Sequence, residues 1–210
     1  MVPRAIYGFG HLGPRGPENA PPALVIPGFI ANDRTTMELR RALAADGWRV
    51  HPWGQGWNMG VRADTLDRLR QRLDAISPGE PMLVVGWSLG GVFARALALA
   101  HPERVKAVVT LGSPFSGDPR ANNVWKLYEL IAGHKVDDPP IERRSEKPDV
   151  PTLAIWSRAD GIVAPASARG LAQESDKSVE LGCSHMAFGV SRRTAKQVVR
   201  EIDTFLKSVA

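Results

Sequence analysis

Cysteine is nearly absent from this chain: Cys183 is the one thiol among 210 residues, which excludes an internal disulfide and any zinc site built on paired thiolates. The fold must stand on its apolar core. Long apolar runs are missing as well, since no stretch approaches the roughly 18 consecutive residues of a membrane span. The start, Met1-Val2-Pro3-Arg4-Ala5-Ile6-Tyr7-Gly8-Phe9-Gly10, lacks the unbroken apolar segment of a secretory signal. A cytoplasmic protein without stable membrane insertion is expected. Charge is not blocked by sign either. Lys and Arg number 27 against 22 Asp and Glu, a net +5, but the excess is scattered. Arg68, Arg70 and Arg72 alternate with Asp67 and Asp74, as on a solvated helix face. With no basic run and no recognisable motif, nucleic acid is not an expected partner. No H-E-x-x-H pair is present, so neither a zinc hydrolase nor any metal is expected.

What the chain does contain is an alternation of short apolar runs with helical patterns. Ala23 to Ile26, Met82 to Val85, Val105 to Leu111 and Thr152 to Trp156 read as strands buried on both faces, which a helix-covered parallel sheet demands. Trp48 to His51 and Ser178 to Leu181 are weaker strands. Leu66, Leu69, Leu73 and Ile76 line one helix, and Val198, Ile202, Phe205 and Val209 line the last. Thr35-Thr36-Met37-Glu38 has the form of a capping box that opens a helix after the first strand. Gly90 to His101 is apolar almost all round and reads as the central buried helix. Right-handed crossovers turn this order into a single α/β domain over 1–210: a mostly parallel sheet of about six strands with helices on both faces. Residues 1–22 form a leader. Residues 113–150 are too long for an ordinary connection and carry their own stripe of Val124, Leu127, Tyr128 and Ile131, so they read as a small cap insert after the fourth strand.

Gly86-Trp87-Ser88-Leu89-Gly90 fits G-x-S-x-G and lies between a strand and a helix, the context that gives the pattern meaning. A turn sharp enough to lift Ser88 off the strand end would bring the residues two before and two after it into collision, and glycine at both places removes the clash. A serine that only caps a helix would not need both glycines.

A serine hydroxyl is a weak nucleophile until a base takes its proton. Of five histidines, His11 precedes the first strand, His101 ends the central helix and His134 lies in the insert. His51 ends a strand but precedes the serine, whereas His185 is the one histidine after the last strand, in a loop. The order serine, acid, histidine favours His185. Asp160 lies just beyond the strand Thr152 to Trp156, where open parallel sheets form ligand sites. Asp-Gly is also a common turn pair, so a purely structural Asp160 stands beside the functional one. Backbone N–H groups of Leu89 and Phe29 are the expected oxyanion donors; Phe29 reads equally as core.

Pro27-Gly28-Phe29, the Gly86 to Gly90 motif, Leu111-Gly112-Ser113-Pro114, Asp160 and His185 together resemble the α/β-hydrolase superfamily, in its compact bacterial lipase and esterase branch. The resemblance implies a Ser88-Asp160-His185 triad, hydrolysis of carboxylic esters through an acyl-enzyme, and no cofactor. It departs where many relatives carry His-Gly in place of Pro27-Gly28, and where strands that often precede the first one are largely absent. Trp87, Phe115, Trp125, Ile162 and Met186 are the expected walls of a pocket for a small-molecule ester with an apolar or aromatic acyl group. Trp53 and Trp57 suit pocket or core equally. An acyltransferase with the same triad and a catalytically silent ligand-binding homologue are the alternatives, separable by product analysis with added acceptors and by an ester panel.

Overall fold

The computed structural model describes residues 16–117 and 146–209. Six strands, β1 (Pro22–Ile26), β2 (Arg49–Pro52), β3 (Met82–Trp87), β4 (Val105–Leu111), β5 (Thr152–Trp156) and β6 (Lys177–Glu180), pair in the order β2-β1-β3-β4-β5-β6. Every pairing is parallel. Helices α1 (Met37–Ala45), α2 (Thr65–Ile76), α3 (Leu89–Ala100), α4 (Pro165–Arg169), α5 (His185–Val190) and α6 (Arg192–Ser208) connect and cover them. None of the described helices is long and apolar enough to cross a membrane.

Side chains alternate across a strand, so each apolar run feeds two cores. Ala23, Val25, Leu83, Val85, Val109 and Ile155 pack on the face that carries Leu39, Leu43, Phe188, Val198, Ile202 and Phe205 of α1, α5 and α6. Leu24, Ile26, Met82, Val84 and Val108 pack on the opposite face with Leu69 and Leu73 of α2 and Phe93 and Leu97 of α3. All of β1, β3 and β5 is buried, which is why these runs are continuously apolar rather than alternating. From β1 the chain moves one way to β2 and then returns past β1 to β3. A right-handed crossover therefore puts α1 on one face and α2 and α3 on the other, and opens a crevice beyond the ends of β1 and β3.

Several local expectations are corrected. The capping box does not form: the side chain of the Thr36 N-cap accepts no helix N–H, Glu38 pairs with Arg41 at 2.5 Å, and the Thr35 hydroxyl donates to Asn32 O at 2.6 Å, closing a turn before the helix. Val209 falls past the end of α6 and is exposed. Arg72 leaves the solvated stripe, because its guanidinium lies over Gly54 and donates to Pro52 O at 2.9 Å. The leader ends one residue earlier than expected, since Pro22 already belongs to β1. Most of the expected cap, 118–145, and Trp125 within it lie outside the described residues.

Candidate active site

Ser88 follows β3 directly and precedes α3, with backbone φ +55° and ψ −124°. A non-glycine residue at such angles costs roughly 1–3 kcal/mol and persists only where its surroundings enforce it. Here the enforcement is steric and polar. A Cβ on Gly86 would run into the carbonyl of Gly90 and the Cα of Gly91, and one on Gly90 would run into the Ile26 carbonyl at the end of β1. The two glycines thus serve different contacts: Gly86 admits the turn, and Gly90 lets α3 seat against the neighbouring strand. The Ser88 N–H donates to Leu111 O of β4 at 2.8 Å, so the bend is pinned to the next strand. A Cβ on Gly28 would stand 3.1 Å from the Ser88 Cβ, so the loop after β1 passes directly over this side chain.

Asp160 arrives from the loop after β5 and His185 from the start of the helix after β6, and both are buried. His185 Nδ1 lies 2.8 Å from Asp160 Oδ2, and the His185 N–H donates to Asp160 O at 3.0 Å. The other carboxylate oxygen, Oδ1, accepts from Ile162 N at 3.0 Å and Val163 N at 2.6 Å. With the carboxylate thus saturated, Nδ1–H is the natural donor to Oδ2 and Nε2 keeps its lone pair. His185 opens α5 rather than lying in a loop, and Trp87 Nε1 donates to its carbonyl at 3.1 Å. The residue before Ser88 therefore holds the backbone that carries the imidazole.

Gly112 joins these parts. It follows β4, immediately beyond the Leu111 carbonyl that holds Ser88 N, and its φ is +53°. A Cβ there would stand 2.8 Å from Asp160 Oδ2 and 3.2 Å from His185 Nδ1. The pair thus lies against the strand end next to the serine bend, and only a glycine leaves room for it.

The other predicted residues divide. Leu89 is the first residue of α3, where N–H groups have no partner within the helix. Phe29 is half-buried, with its ring against the α2 and α3 core. Trp87 and Phe115, expected as pocket walls, are both buried. The Trp87 ring lies 5.7 Å from the His185 ring and packs close on Gly189, while Phe115 is covered by the Arg95 guanidinium 4.2 Å from its centroid. Ile162 packs beside Trp156, Val163 and Ala168. Met186 is 48 % exposed. Trp53 is core and Trp57 is exposed.

Sequence reasoning missed Ile30 and Met59, both exposed apolar side chains in the loops after β1 and β2. Ile30 also has φ +51°, a left-handed conformation that costs an L-residue roughly 1–2 kcal/mol; nothing in the residue type signals it. Cys183, half-buried near Asp160, has its thiol pushed up to about 11 by burial and by that carboxylate, so it is no competing nucleophile at neutral pH.

Comparison with known proteins agrees with this architecture. Over 60 residues the chain is 42 % identical to the pimeloyl-[acyl-carrier protein] methyl ester esterase of Salmonella heidelberg, covering 29 % of this chain and 23 % of that enzyme. A biotin biosynthesis bifunctional protein of Teredinibacter turnerae is 40 % identical over 60 residues, 29 % of this chain and 10 % of its own length. The match thus spans less than a quarter of either relative. Among solved structures, the monoacylglycerol lipase of Paleococcus ferrophilus superposes with a TM-score of 0.67 at 16 % identity, over 93 % of this chain and 97 % of that one. The carboxylesterase of Bacillus subtilis does so with a TM-score of 0.62 at 15 % identity, over 90 % and 85 %. At such identities the likeness is one of fold. Residues 21–136 match the family model described as alpha/beta hydrolase fold, and the chain belongs to that family.

Proposed function

We propose that the chain is a serine hydrolase of carboxylic esters, with Ser88 as nucleophile, His185 as general base and Asp160 as the group that orients and balances it. The observation that carries this reading is the buried Asp160–His185 bond at 2.8 Å against Gly112, one residue past the strand end that pins Ser88. In the proposed reaction Nε2 takes the Ser88 proton as Oγ attacks the ester carbonyl, and the imidazolium that forms is balanced by the Asp160 carboxylate. Leu89 N–H, at the positive end of α3, and Phe29 N–H receive the developing oxyanion. His185 then protonates the leaving alcohol, and later takes a proton from the water that releases the acid.

The acyl side is proposed to be apolar. Ile30, Trp57, Met59 and Met186 keep 39 %, 57 %, 46 % and 48 % of their surface exposed, the first three on loops that follow β1 and β2 and Met186 in the first turn of α5. These segments follow the C-terminal ends of the parallel strands, where open α/β sheets form their ligand sites. The esterase relatives, one of which acts on a methyl ester by its name, favour an ester over an amide. A panel of p-nitrophenyl esters of graded chain length, with the released acid measured with and without added alcohol or thiol acceptors, tests the proposal. Turnover should favour apolar acyl groups and give free acid. Products carrying the acceptor would make it an acyltransferase, and a silent panel on folded protein would remove the catalytic reading.

A further inference from the structure

The loop over Ser88 is held in place by a side chain that no part of the proposed chemistry uses. Asn58 belongs to the segment after β2 and has no solvent-exposed surface. Its Nδ2 donates to Pro27 O at 2.8 Å, and its Oδ1 accepts from Gly60 N at 3.2 Å. Its backbone N–H donates to Ala31 O at 2.8 Å, and its carbonyl accepts from Ile30 N at 2.8 Å. Asn58 thus grips the loop on both sides of Gly28-Phe29: at Pro27 before them, and at Ile30 and Ala31 after them.

That grip acts on a strained stretch of backbone. Ile30 is β-branched and left-handed, at φ +51°, a conformation that relaxes unless neighbours fix it. Gly28 has a second constraint, since a Cβ there would stand 3.1 Å from the Ser88 Cβ and 3.4 Å from the Trp87 carbonyl. A shift of the loop toward the serine is blocked by contact, and a shift away is resisted by Asn58. The glycines that flank the segment, Gly54, Gly56 and Gly60 at φ +72°, +75° and +111°, supply the turns that bring Asn58 back under β1. A buried amide with one end on the Pro27 carbonyl and the other on Gly60 N of its own segment ties two loops together, and oxyanion donors act only when preorganised.

We propose that Asn58 is a positioning residue, which fixes the Pro27 to Ala31 loop so that the Phe29 N–H is aimed at the oxyanion. The inference rests on the serine-hydrolase reading, and its test separates the two. Stoichiometric labelling of the wild-type protein by a fluorophosphonate establishes the nucleophile; no labelling of folded wild type defeats that reading, whatever Asn58 does. With labelling in hand, Asn58→Ala removes the Pro27 and Gly60 bonds and leaves the backbone bonds. Per titrated site, kcat should fall about 10- to 100-fold with KM within about threefold, as expected when a donor is misplaced rather than lost. A boronic acid that mimics the tetrahedral intermediate should lose affinity by a similar factor. Asn58→Asp keeps the shape and the Gly60 acceptor but cannot donate to Pro27 O while ionised, so it should show the same kcat loss if the alanine variant fails to fold. Ile202→Val, in the core under α6, serves as a control that lowers Tm at unchanged kcat. If the Asn58 variants behave like that control, with lower Tm, unaltered kcat per site and unaltered boronate affinity, the residue is structural and the proposal is overturned.

Discussion

On the β5 and β6 side of Ser88, Asp160 bonds to residues only two and three positions ahead and to a histidine that its own carbonyl also holds. On the β1 and β2 side the stretch from Pro27 to Ala31 is tied across loops: Asn58 reaches it from 31 residues away in the chain. Asp33, 20 and 21 residues removed from its partners, accepts from Trp53 N and Gly54 N to tie the same two loops again. One side is self-organised and the other is organised by its neighbour. The carboxylate is held by a dense local shell, to which Trp87 Nε1 adds a distant tie on the His185 carbonyl. The oxyanion side is only as rigid as the tie between two loops, and it carries the left-handed Ile30 besides.

The largest effect expected from breaking this arrangement is on the self-organised side. Asp160→Asn keeps an oxygen for Ile162 N and Val163 N but cannot accept a proton-bearing Nδ1 with the same charge, and it favours the wrong tautomer. Ester turnover should fall by about 10³-fold or more with little change in Tm, read by steady-state kinetics and calorimetry; a loss under tenfold would mean that Asp160 is a turn residue after all. Next comes Asn58, where a loss of about 10- to 100-fold is expected.

The smallest effect lies beneath the neighbour-held side. His51 in β2 is buried, its Nε2 has no partner among the described residues, and burial together with Arg49 and Arg72 lowers it to about 4. The unfolded chain takes up a proton near pH 6.5 that the folded chain refuses until about 4. This contribution to stability is therefore present at neutral pH and lost as pH falls through that window. His51→Leu should flatten the decline in Tm between pH 7 and 5. Burial raises the Asp33 carboxyl, which works in the opposite direction, but it does so equally in both proteins. Parallel Tm profiles would show that His51 is solvated.

The strands were legible because a helix-covered parallel sheet writes itself as continuous apolar runs; β4 and β5 fall where those runs fall. Ser88 was legible because its bend demands glycines, and composition records a steric demand. The direction of the aromatic side chains was not. Residue type tells that Trp87 and Phe115 are large and apolar, not which way they face, and both face inward. Left-handed Ile30 was invisible because the partner of its N–H, the Asn58 carbonyl, lies in another loop and leaves no local signature. Asn58 itself had a weak signal: one of two amides, with Gln55, among the glycines of a short segment.

The central claim is that the hydroxyl of Ser88 is made nucleophilic by the Asp160–His185 pair. Incubation of folded protein with a fluorophosphonate, followed by intact-mass and peptide analysis, tests it most directly. The account predicts one adduct per chain, on the peptide that contains Ser88, absent in Ser88→Ala and strongly slowed in His185→Ala. An unmodified mass, or an adduct on any other residue, would contradict it.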